Sequence, residues 1–239
     1  MAIKIIGIVC AIALAVSGGI FGARWIEARY RAERAVLSFP ERLTTQEKRR
    51  GGILSGAYGL LFCWSILTSG FLLHLQGLDV PATVTGSFVS AAGGTFHDAL
   101  FLIFLLAFVF FLVLFTVTDF EQQVIFDRQL VPFAVLGLLS IPLLGRPFFD
   151  HLLAAAVGFA VFLAIAVITR GAIGGGDIKL VAALGLWLGS DQLLTVVVAG
   201  TILGGLAALV LLATGKRKRG EMFAYGPYFT IAALVLSLI

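Results

Sequence analysis

The feature that most constrains this chain is the recurrence of apolar stretches nearly long enough to cross a membrane. A helix rises about 1.5 Å per residue, so about 20 apolar residues span the hydrocarbon core of a bilayer. Eight stretches of near-spanning length follow one another, at about 5–23, 52–75, 99–117, 129–145, 150–169, 178–190, 192–213 and 223–239. Lipid cannot satisfy backbone hydrogen bonds, so the predicted fold class is an all-α, polytopic integral membrane protein.

The composition supports the membrane assignment. Of the 239 residues, 60% are hydrophobic and 13% are charged, and the mean hydropathy is +1.06. Soluble domains have about 45–50% apolar and about 25% charged residues, which they need to cover their surface. These values argue against a soluble globule, a disordered chain and a disulfide-rich secreted scaffold. A net charge of +4 does not indicate a nucleic-acid partner.

The positions of the basic residues predict the topology. If all eight stretches cross, every Lys and Arg except Lys4 and Arg146 falls on one face, which the positive-inside rule makes cytoplasmic. A re-entrant sixth stretch would move the KRKR run at 216–219 to the opposite face. Both termini are therefore predicted on the non-cytoplasmic side, with a basic, solvated and partly helical cytoplasmic loop at about 24–50 and an outer loop at about 76–98. The first stretch is read as a retained membrane helix, because its flanking charges reverse those of a signal peptide.

Several chemistries are disfavoured by the sequence. Cys10 and Cys63 each lie inside an apolar stretch and are expected to be buried hydrophobic residues rather than a disulfide pair or metal ligands. His74, His97 and His151 lie at or beyond the outer ends of their stretches without ligand spacing, so they are interpreted as interfacial polar residues. No metal or cofactor is predicted. A serine nucleophile is disfavoured because the chain has no GxSxG motif and no cytoplasmic His.

Two carboxylates at membrane depth are the candidate site residues. Asp119 lies just past the third stretch and Asp177 directly before the sixth, both on the predicted cytoplasmic face. An ionisable group at this depth is unfavourable by several kcal/mol unless it is paired or functional. Two close carboxylates cannot both ionise easily, so one keeps a proton while the other activates water, as in aspartic proteases. Gly174 and Gly176 fit this hypothesis, because a backbone without Cβ can approach a substrate closely and adopt positive φ.

Simpler interpretations of the acidic residues stay open at this point. Asp177 before Ile178 has the pattern of an ordinary helix N-cap. Asp119 has the pattern of a solvated residue at a helix end. Glu121 and Asp127 are interpreted as solvated loop charges.

Three motifs resemble those of the type IV prepilin peptidase family, which are membrane aspartic proteases with a GxGD signature. Segment 174–180, GGGDIKL, followed by VAALGLWLG, resembles the family's GxGDxKLxAAxGxxxG. Asp119 with IFD at 125–127 resembles the family's Asp, five residues, then Leu/Ile-Pro-Asp/Asn. YGPY at 225–228 is similar to the family's PFGPF. The resemblance covers about 100–239 well and the first hundred residues loosely.

The resemblance implies a function and a set of site residues. The catalytic pair would be Asp119 and Asp177, acting in an endopeptidase that removes short basic leader peptides from prepilin-like or pseudopilin precursors. Cleavage would occur at the cytoplasmic face of the inner membrane, in a pilus or secretion system. The supporting residues of the motifs would be Gly174, Gly176, Lys179 and Asp127.

The chain departs from the family pattern in three places. Segment 18–24 keeps Gly and Phe but loses the Asn found at the end of the family's first helix. Phe126 replaces the usual Pro and is expected to alter the local turn. Many members have two CxxC pairs that bind zinc in the first cytoplasmic loop, where N-methylation of the pilin is also located. This chain has no cytoplasmic cysteine, so no zinc site is predicted and N-methyltransferase activity is disfavoured.

Two other functional classes compete with the peptidase. A small proton-coupled transporter would need carboxylates near mid-membrane and paired half-helices in both halves of the chain. An inactive docking scaffold for pilin precursors would not need both aspartates. The predicted organisation has an N-terminal part, 1–98, with two helices, and a catalytic part, 99–239, with six helices and both aspartates.

Overall fold

The fold of the described residues is entirely helical. The computed structural model describes residues 2–40, 43–68, 95–171, 173–215 and 225–238. Within these ranges the backbone forms a 3-10 turn at Arg34–Val36, seven α-helices and no strand. The helices are α1 (Ala2–Ala32), α2 (Leu43–Thr68), α3 (Thr95–Gln122), α4 (Asp127–Leu143), α5 (Phe148–Ile168), α6 (Gly175–Ala213) and α7 (Gly226–Leu238). The predicted all-α class is confirmed for this part of the chain.

Three of the described helical segments are long and apolar enough to cross a membrane. They are Ala99–Gln122 in α3, Phe148–Ile168 and Gly175–Ala213, and Gly226–Ser237 is a shorter apolar helix. The multi-pass membrane character of the chain follows from them, while the count of eight crossings and the orientation of the termini stay predictions. His74, most of the predicted outer loop and the run at 216–219 lie outside the described residues.

Helices α1 and α2 extend beyond the apolar stretches predicted for them. Helix α1 continues to Ala32 through the basic sequence, and α2 begins at Leu43. Ion pairs one turn apart, Arg31 with Glu27 and Arg29 with Glu33, support the helical extension of α1. The predicted loop at 24–50 is therefore helical over most of its length.

The chain divides into two compact units, and the first contains α1, α2 and most of α3. Its bounds are Met1–Arg34, Pro40–Leu114 and Ser237–Ile239. Gly19 packs directly on the backbone of Ser55, which draws α1 and α2 close together. On α3, the Phe110 ring stacks on Tyr58 with centroids 5.2 Å apart, and the Tyr58 hydroxyl donates to the Phe110 carbonyl.

One basic residue of the predicted solvated loop is buried in this first unit. The Arg50 guanidinium carbon lies 4.8 Å from the centroid of the Tyr30 ring, and both side chains are almost fully buried. This geometry is a cation–π contact, which helps to offset the loss of hydration of the guanidinium. The expectation of a solvated surface is wrong at Arg50, because its charge is held within the protein.

The second unit comprises Ala35–Phe39 and Phe115–Leu236 and contains both candidate aspartates. Its longest helix, α6, is interrupted at Gly189, which has φ 74° and ψ −177°. Asp177 and Gly204 would be about 40 Å apart on a straight helix. In the structure, however, Asp177 and Gly204 lie close together. Gly226 is against Asp177, and the adjacent residue Tyr225 is against Gly204. Helix α6 is therefore two limbs, 175–188 and 190–213, folded back at the boundary that the hydropathy predicted between the sixth and seventh stretches.

Polar side chains just before α5 and in its first turn cap both limbs at this turn. Arg146 donates to the Trp187 carbonyl at 2.7 Å, and His151 Nδ1 lies 2.9 Å from the Leu186 carbonyl oxygen, at the end of the first limb. Asp150 Oδ2 accepts from the Ser190 N–H at 3.1 Å, at the start of the second limb. Burial lowers the pKa of Arg146 to about 10, so this cation stays charged at neutral pH and complements the helix C-terminus. His151 is buried within the protein, and its position at the membrane interface stays a prediction.

Candidate active site

Asp119 is buried near the end of α3. It lies three residues before the last residue of the helix, and its side chain is only 3% exposed. One turn earlier, Phe115 packs edge-on against Phe133 of α4 with ring centroids 5.3 Å apart. The Thr116 and Thr230 hydroxyls are 2.7 Å apart and hydrogen-bond α3 to α7. The interpretation of Asp119 as a solvated helix-end residue is therefore wrong.

Asp177 lies in the first turn of α6 and is 6% exposed. Gly174 occupies the N-cap position with φ −68°, so Asp177 is the third helical residue and its interpretation as an N-cap is wrong. The backbone amides of Gly174, Tyr225 and Gly226 form hydrogen bonds to the Asp177 carboxyl group. The contact with Gly174 resembles a capping box, in which an acidic side chain at the third position reaches back to the N-cap amide.

The two carboxyl groups converge on the backbone of Gly226. A Cβ built on Gly226 would lie 2.9 Å from Asp177 Oδ1 and under 3.0 Å from Asp119 Oδ2. The two oxygens are therefore less than about 6 Å apart, within the range where one carboxylate influences the ionisation of another. The fold brings together two aspartates that are 58 positions apart in the sequence, as the convergence hypothesis requires.

The two glycines of the GxGD motif have different environments. A Cβ on Gly176 would lie 3.1 Å from Ile125 Cβ, so this glycine allows α6 to pack closely on the segment between α3 and α4. Gly174 is exposed, and a Cβ there would meet only Asp177 Oδ2, at 3.7 Å. Neither glycine has positive φ, so that expectation is wrong. Their approach to a substrate backbone stays a prediction.

Asp127 and Lys179 form an ion pair beside the aspartates. Lys179 Nζ donates to both carboxylate oxygens of Asp127, at 2.7 and 2.8 Å. The pair joins the first residue of α4 to the first turns of α6. Because the side chains are 65% and 48% exposed, the pair is worth only about 0.2–1 kcal/mol. The interpretation of Asp127 as a solvated loop charge is right about exposure and wrong about the loop, because Asp127 begins α4 and pairs with Lys179.

The substitution of Phe126 for the family's proline leaves the backbone angle at that residue in the proline range. Phe126 is the N-cap residue of α4 and has φ −79°. Proline imposes φ of about −65 ± 15°. The Phe ring is buried, and the expected difference of the turn from the family's stays a prediction.

The structure adds residues to which the sequence had assigned no role. Gly226 belongs to the recognised YGPY motif, but its contact with both carboxyl groups was not foreseen. The Gln122 side chain binds the backbone of Phe39 through both its amide and its carbonyl, at 3.0 and 2.9 Å. Gln129 is fully buried in the first turn of α4. Glutamines within a helix have no motif that would have revealed these contacts.

No group of three His, Cys, Asp or Glu side chains suited to holding a metal occurs among the described residues. Backbone amides bind Asp177, and Gly226 lies against both carboxyl groups. The prediction that the protein uses no metal or cofactor stays a prediction.

Two buried carboxyl groups meet within an apolar, membrane-type helical unit, an arrangement that resembles the paired carboxyl groups of aspartic proteases. The sequence profile of the Type IV leader peptidase family matches residues 105–209, a range that includes Asp119 and Asp177. The chain is 32% identical over 170 residues to the "Prepilin leader peptidase/N-methyltransferase" of Bacillus subtilis, covering 69% of this chain and 68% of the relative. On this evidence the protein belongs to the type IV leader peptidase family and is a protease.

Other relatives match a shorter part of the chain. Proteins of the same name from Xanthomonas campestris and Neisseria gonorrhoeae are 30% and 32% identical over 132 and 133 residues. These matches cover 53% of this chain in each case, and 46% and 45% of the relatives, so the match spans about half the length of either protein. No solved structure matches the chain.

Proposed function

We propose that this protein removes the leader peptide from prepilin-like or pseudopilin precursors, with Asp119 and Asp177 as the catalytic pair. The observation that carries the proposal is the convergence of the two buried carboxyl groups on Gly226. Family membership supplies the reaction class, and the names of the relatives supply the substrate class. Two acidic groups sharing one proton are sufficient to activate water for peptide hydrolysis.

The hydrogen bonding of the two carboxyl groups suggests a division of roles. Backbone amides bind Asp177 and stabilise a carboxylate, whereas Asp119 Oδ2 is buried without a partner among the described residues. We assign Asp177 as the general base and Asp119 as the general acid. Asp177 takes a proton from water as the water oxygen bonds to the scissile carbonyl carbon, and Asp119 gives its proton to the carbonyl oxygen.

The tetrahedral intermediate then collapses by the reverse proton transfers. As the C–N bond breaks, the leaving nitrogen takes the proton held by Asp177. Asp119 regains its proton from the hydroxyl group of the intermediate, and the carbonyl is restored. Both aspartates return to their starting protonation states without any covalent enzyme intermediate.

The proposed setting is the cytoplasmic face of the inner membrane. It is supported by the predicted distribution of basic residues and by the positions of the aspartates at helix ends, three residues from the end of α3 and in the first turn of α6. Positions at helix ends do not favour the transporter alternative, which needs carboxylates near mid-membrane. N-methylation is not part of the proposal, because the chain has only Cys10 and Cys63, both within apolar stretches.

The proposal is tested by co-expressing the protein with a candidate prepilin and following leader removal by mass spectrometry. Asp119→Asn and Asp177→Asn keep the side-chain size and are each expected to slow cleavage by at least about 100-fold. The matched control is Asp191→Asn, an exposed aspartate of the same unit in the second limb of α6, outside the three motifs, which should retain cleavage within a few-fold. Unimpaired cleavage by either of the first two variants would exclude the two-aspartate mechanism. A scaffold without activity would leave the precursor intact with the wild-type protein as well.

A second readout tests the methylation prediction. S-adenosylmethionine is added to the cleavage reaction, and the new N-terminus of the product is analysed for an added methyl mass. We expect the unmethylated product alone. Detection of the methylated product would show that the second activity does not need the cysteine pairs.

A further inference from the structure

Gln122 binds the backbone of a distant residue through both ends of its side chain. Its Nε2 donates to the Phe39 carbonyl at 3.0 Å, and its Oε1 accepts from the Phe39 N–H at 2.9 Å. A residue of a neighbouring β-strand would make the same two bonds, so together they fix the position and the direction of the chain at Phe39. Gln122 is 0% exposed, and hydrogen bonds shielded from water are stronger than exposed ones. The side chain is therefore a specific attachment point for this stretch of backbone.

The attached stretch is segment 35–39, which follows α1 in the chain and is here named the strap. It belongs to the same compact unit as both aspartates. Leu37 within it is only 7% exposed, whereas Val36 and Ser38 are exposed. The strap is thus held by a buried apolar side chain and by Gln122, while it presents other side chains outward.

Gln122 follows Asp119 by three residues on α3. Side chains three residues apart in a helix project from the same side, with Cβ atoms about 5–6 Å apart. A glutamine side chain reaches about 4 Å beyond its Cβ, and the Phe39 carbonyl is hydrogen-bonded to its end. The Phe39 carbonyl oxygen is therefore within about 13 Å of the Asp119 Cβ. An extended peptide advances about 3.3–3.6 Å per residue, so three or four residues of a bound precursor span this distance.

The strap is attached at the polar end of α3. The apolar sequence of this helix gives way to Glu-Gln-Gln at 121–123, directly after Asp119 and Phe120. A basic leader peptide is unfavourable in hydrocarbon, so from the aspartates it extends toward this polar end rather than along the apolar part of α3. The leader therefore runs in the direction in which the strap lies.

We propose that the strap is a wall of the site that binds the leader, three or four residues from the scissile bond, and that Gln122 is the positioning residue that holds the strap there. This inference rests on the proposed function. Gln122 touches no reacting group in this role and acts through Phe39. A strap held only for structural reasons would affect stability and every substrate alike, whereas a leader-binding strap affects the binding of those precursors that are long enough to reach it.

The test compares Gln122→Leu with wild type on two forms of one prepilin, one with its full leader and one with a leader shortened to two residues. For the full leader we expect KM to rise about 3- to 10-fold with kcat within about twofold, because the lost contact is made equally in the ground state and the transition state. The shortened leader does not reach the strap, so variant and wild type should have the same KM for it. Gln192→Leu changes a glutamine in the second limb of α6 and is the matched control, which should equal wild type on both substrates.

Ser38→Lys tests the strap without removing its attachment. Ser38 is exposed, so this substitution should leave the fold intact even if Gln122→Leu does not fold. A positive charge beside a basic leader should raise KM for the full leader about two- to fivefold at low salt. The increase should disappear at about 1 M salt, where the Debye length is about 3 Å. A prepilin whose leader has its basic residues replaced by Gln should show no increase.

Four results would overturn the inference. Gln122→Leu could leave KM for the full leader unchanged, raise KM equally for both leaders, or lower kcat alone, and Ser38→Lys could leave KM unchanged. The same assay includes Asp119→Asn and Asp177→Asn. Cleavage by those two variants would show that the proposed function itself fails. If they are inactive while KM does not respond to the strap variants, the proposed function stands and only the role of the strap fails.

Discussion

Replacement of Gly226 by alanine tests the geometry of the site without removing any functional group. The new Cβ would lie 2.9 Å from Asp177 Oδ1, and even closer to Asp119 Oδ2. Ordinary van der Waals contact begins at 3.4 Å, so the Asp177 oxygen must move by about 0.5 Å and the Asp119 oxygen by more. The Ile125 side chain, 3.0 Å from the same Cβ, limits the space into which the site can relax.

The expected effect is large on activity and small on stability. A misplacement of about 1 Å in a catalytic group can lower the rate about 100-fold, so Gly226→Ala should reduce kcat about 10- to 100-fold. Crowding costs about 1–3 kcal/mol, and the better helix propensity of alanine offsets up to about 1 kcal/mol of it. The free energy of unfolding should therefore fall by no more than about 2 kcal/mol.

The assay compares cleavage of a prepilin by Gly226→Ala and Gly205→Ala, with thermal unfolding in detergent measured in parallel. Gly205 lies in the second limb of α6, and a Cβ there meets no atom within 4 Å, so this variant controls for the change from glycine to alanine. Wild-type kcat in Gly226→Ala, together with an unchanged Tm, would refute the convergence of the two carboxyl groups on this glycine.

Three other substitutions test the contacts around the site. Gly189→Ala places a side chain at φ 74° in the turn of α6 and should destabilise the protein by about 1–3 kcal/mol, seen as a lower Tm. Asp127→Lys should lower the free energy of unfolding by up to about 1 kcal/mol. Adding Lys179→Asp should restore the ion pair with reversed charges and recover this stability. A double variant that stays as unstable as Asp127→Lys would show that the ion pair is not the cause. Gln122→Leu removes both bonds to Phe39 and should speed limited proteolysis within 35–39, so an unchanged cleavage rate there would contradict the anchoring role.

The helical fold was predictable because it depends on local properties of the sequence. Long apolar stretches can satisfy their backbone hydrogen bonds in lipid only as helices. The boundary between the two limbs of α6 was also visible in the hydropathy. The continuation of α1 to Ala32 was not, because basic residues lower the hydropathy there although Ile26 and Tyr30 continue the buried face of the helix. A prediction based on hydropathy alone therefore places the end of this helix too early.

The candidate site was partly predictable as a set of residues but not as a geometry. Motif spacing and the scarcity of acidic residues at membrane depth singled out Asp119 and Asp177. The sequence did not decide the environment of either residue. Burial excludes the interpretation of Asp119 as a solvated helix end, and the helix start at Gly175 excludes Asp177 as an N-cap. Whether a carboxyl group is solvated depends on which helices cover it, and no local pattern encodes that.

The sequence by itself determined that this chain is helical, that it is built for a membrane, and that two aspartates are the residues most suited to chemistry. Tertiary structure alone decided that those aspartates meet at Gly226, which follows Asp119 by 107 positions. The reason is physical. Hydropathy and helix propensity act over a few residues, whereas the distance between two side chains on different helices is set by how small residues, ring contacts and capped turns let those helices pack.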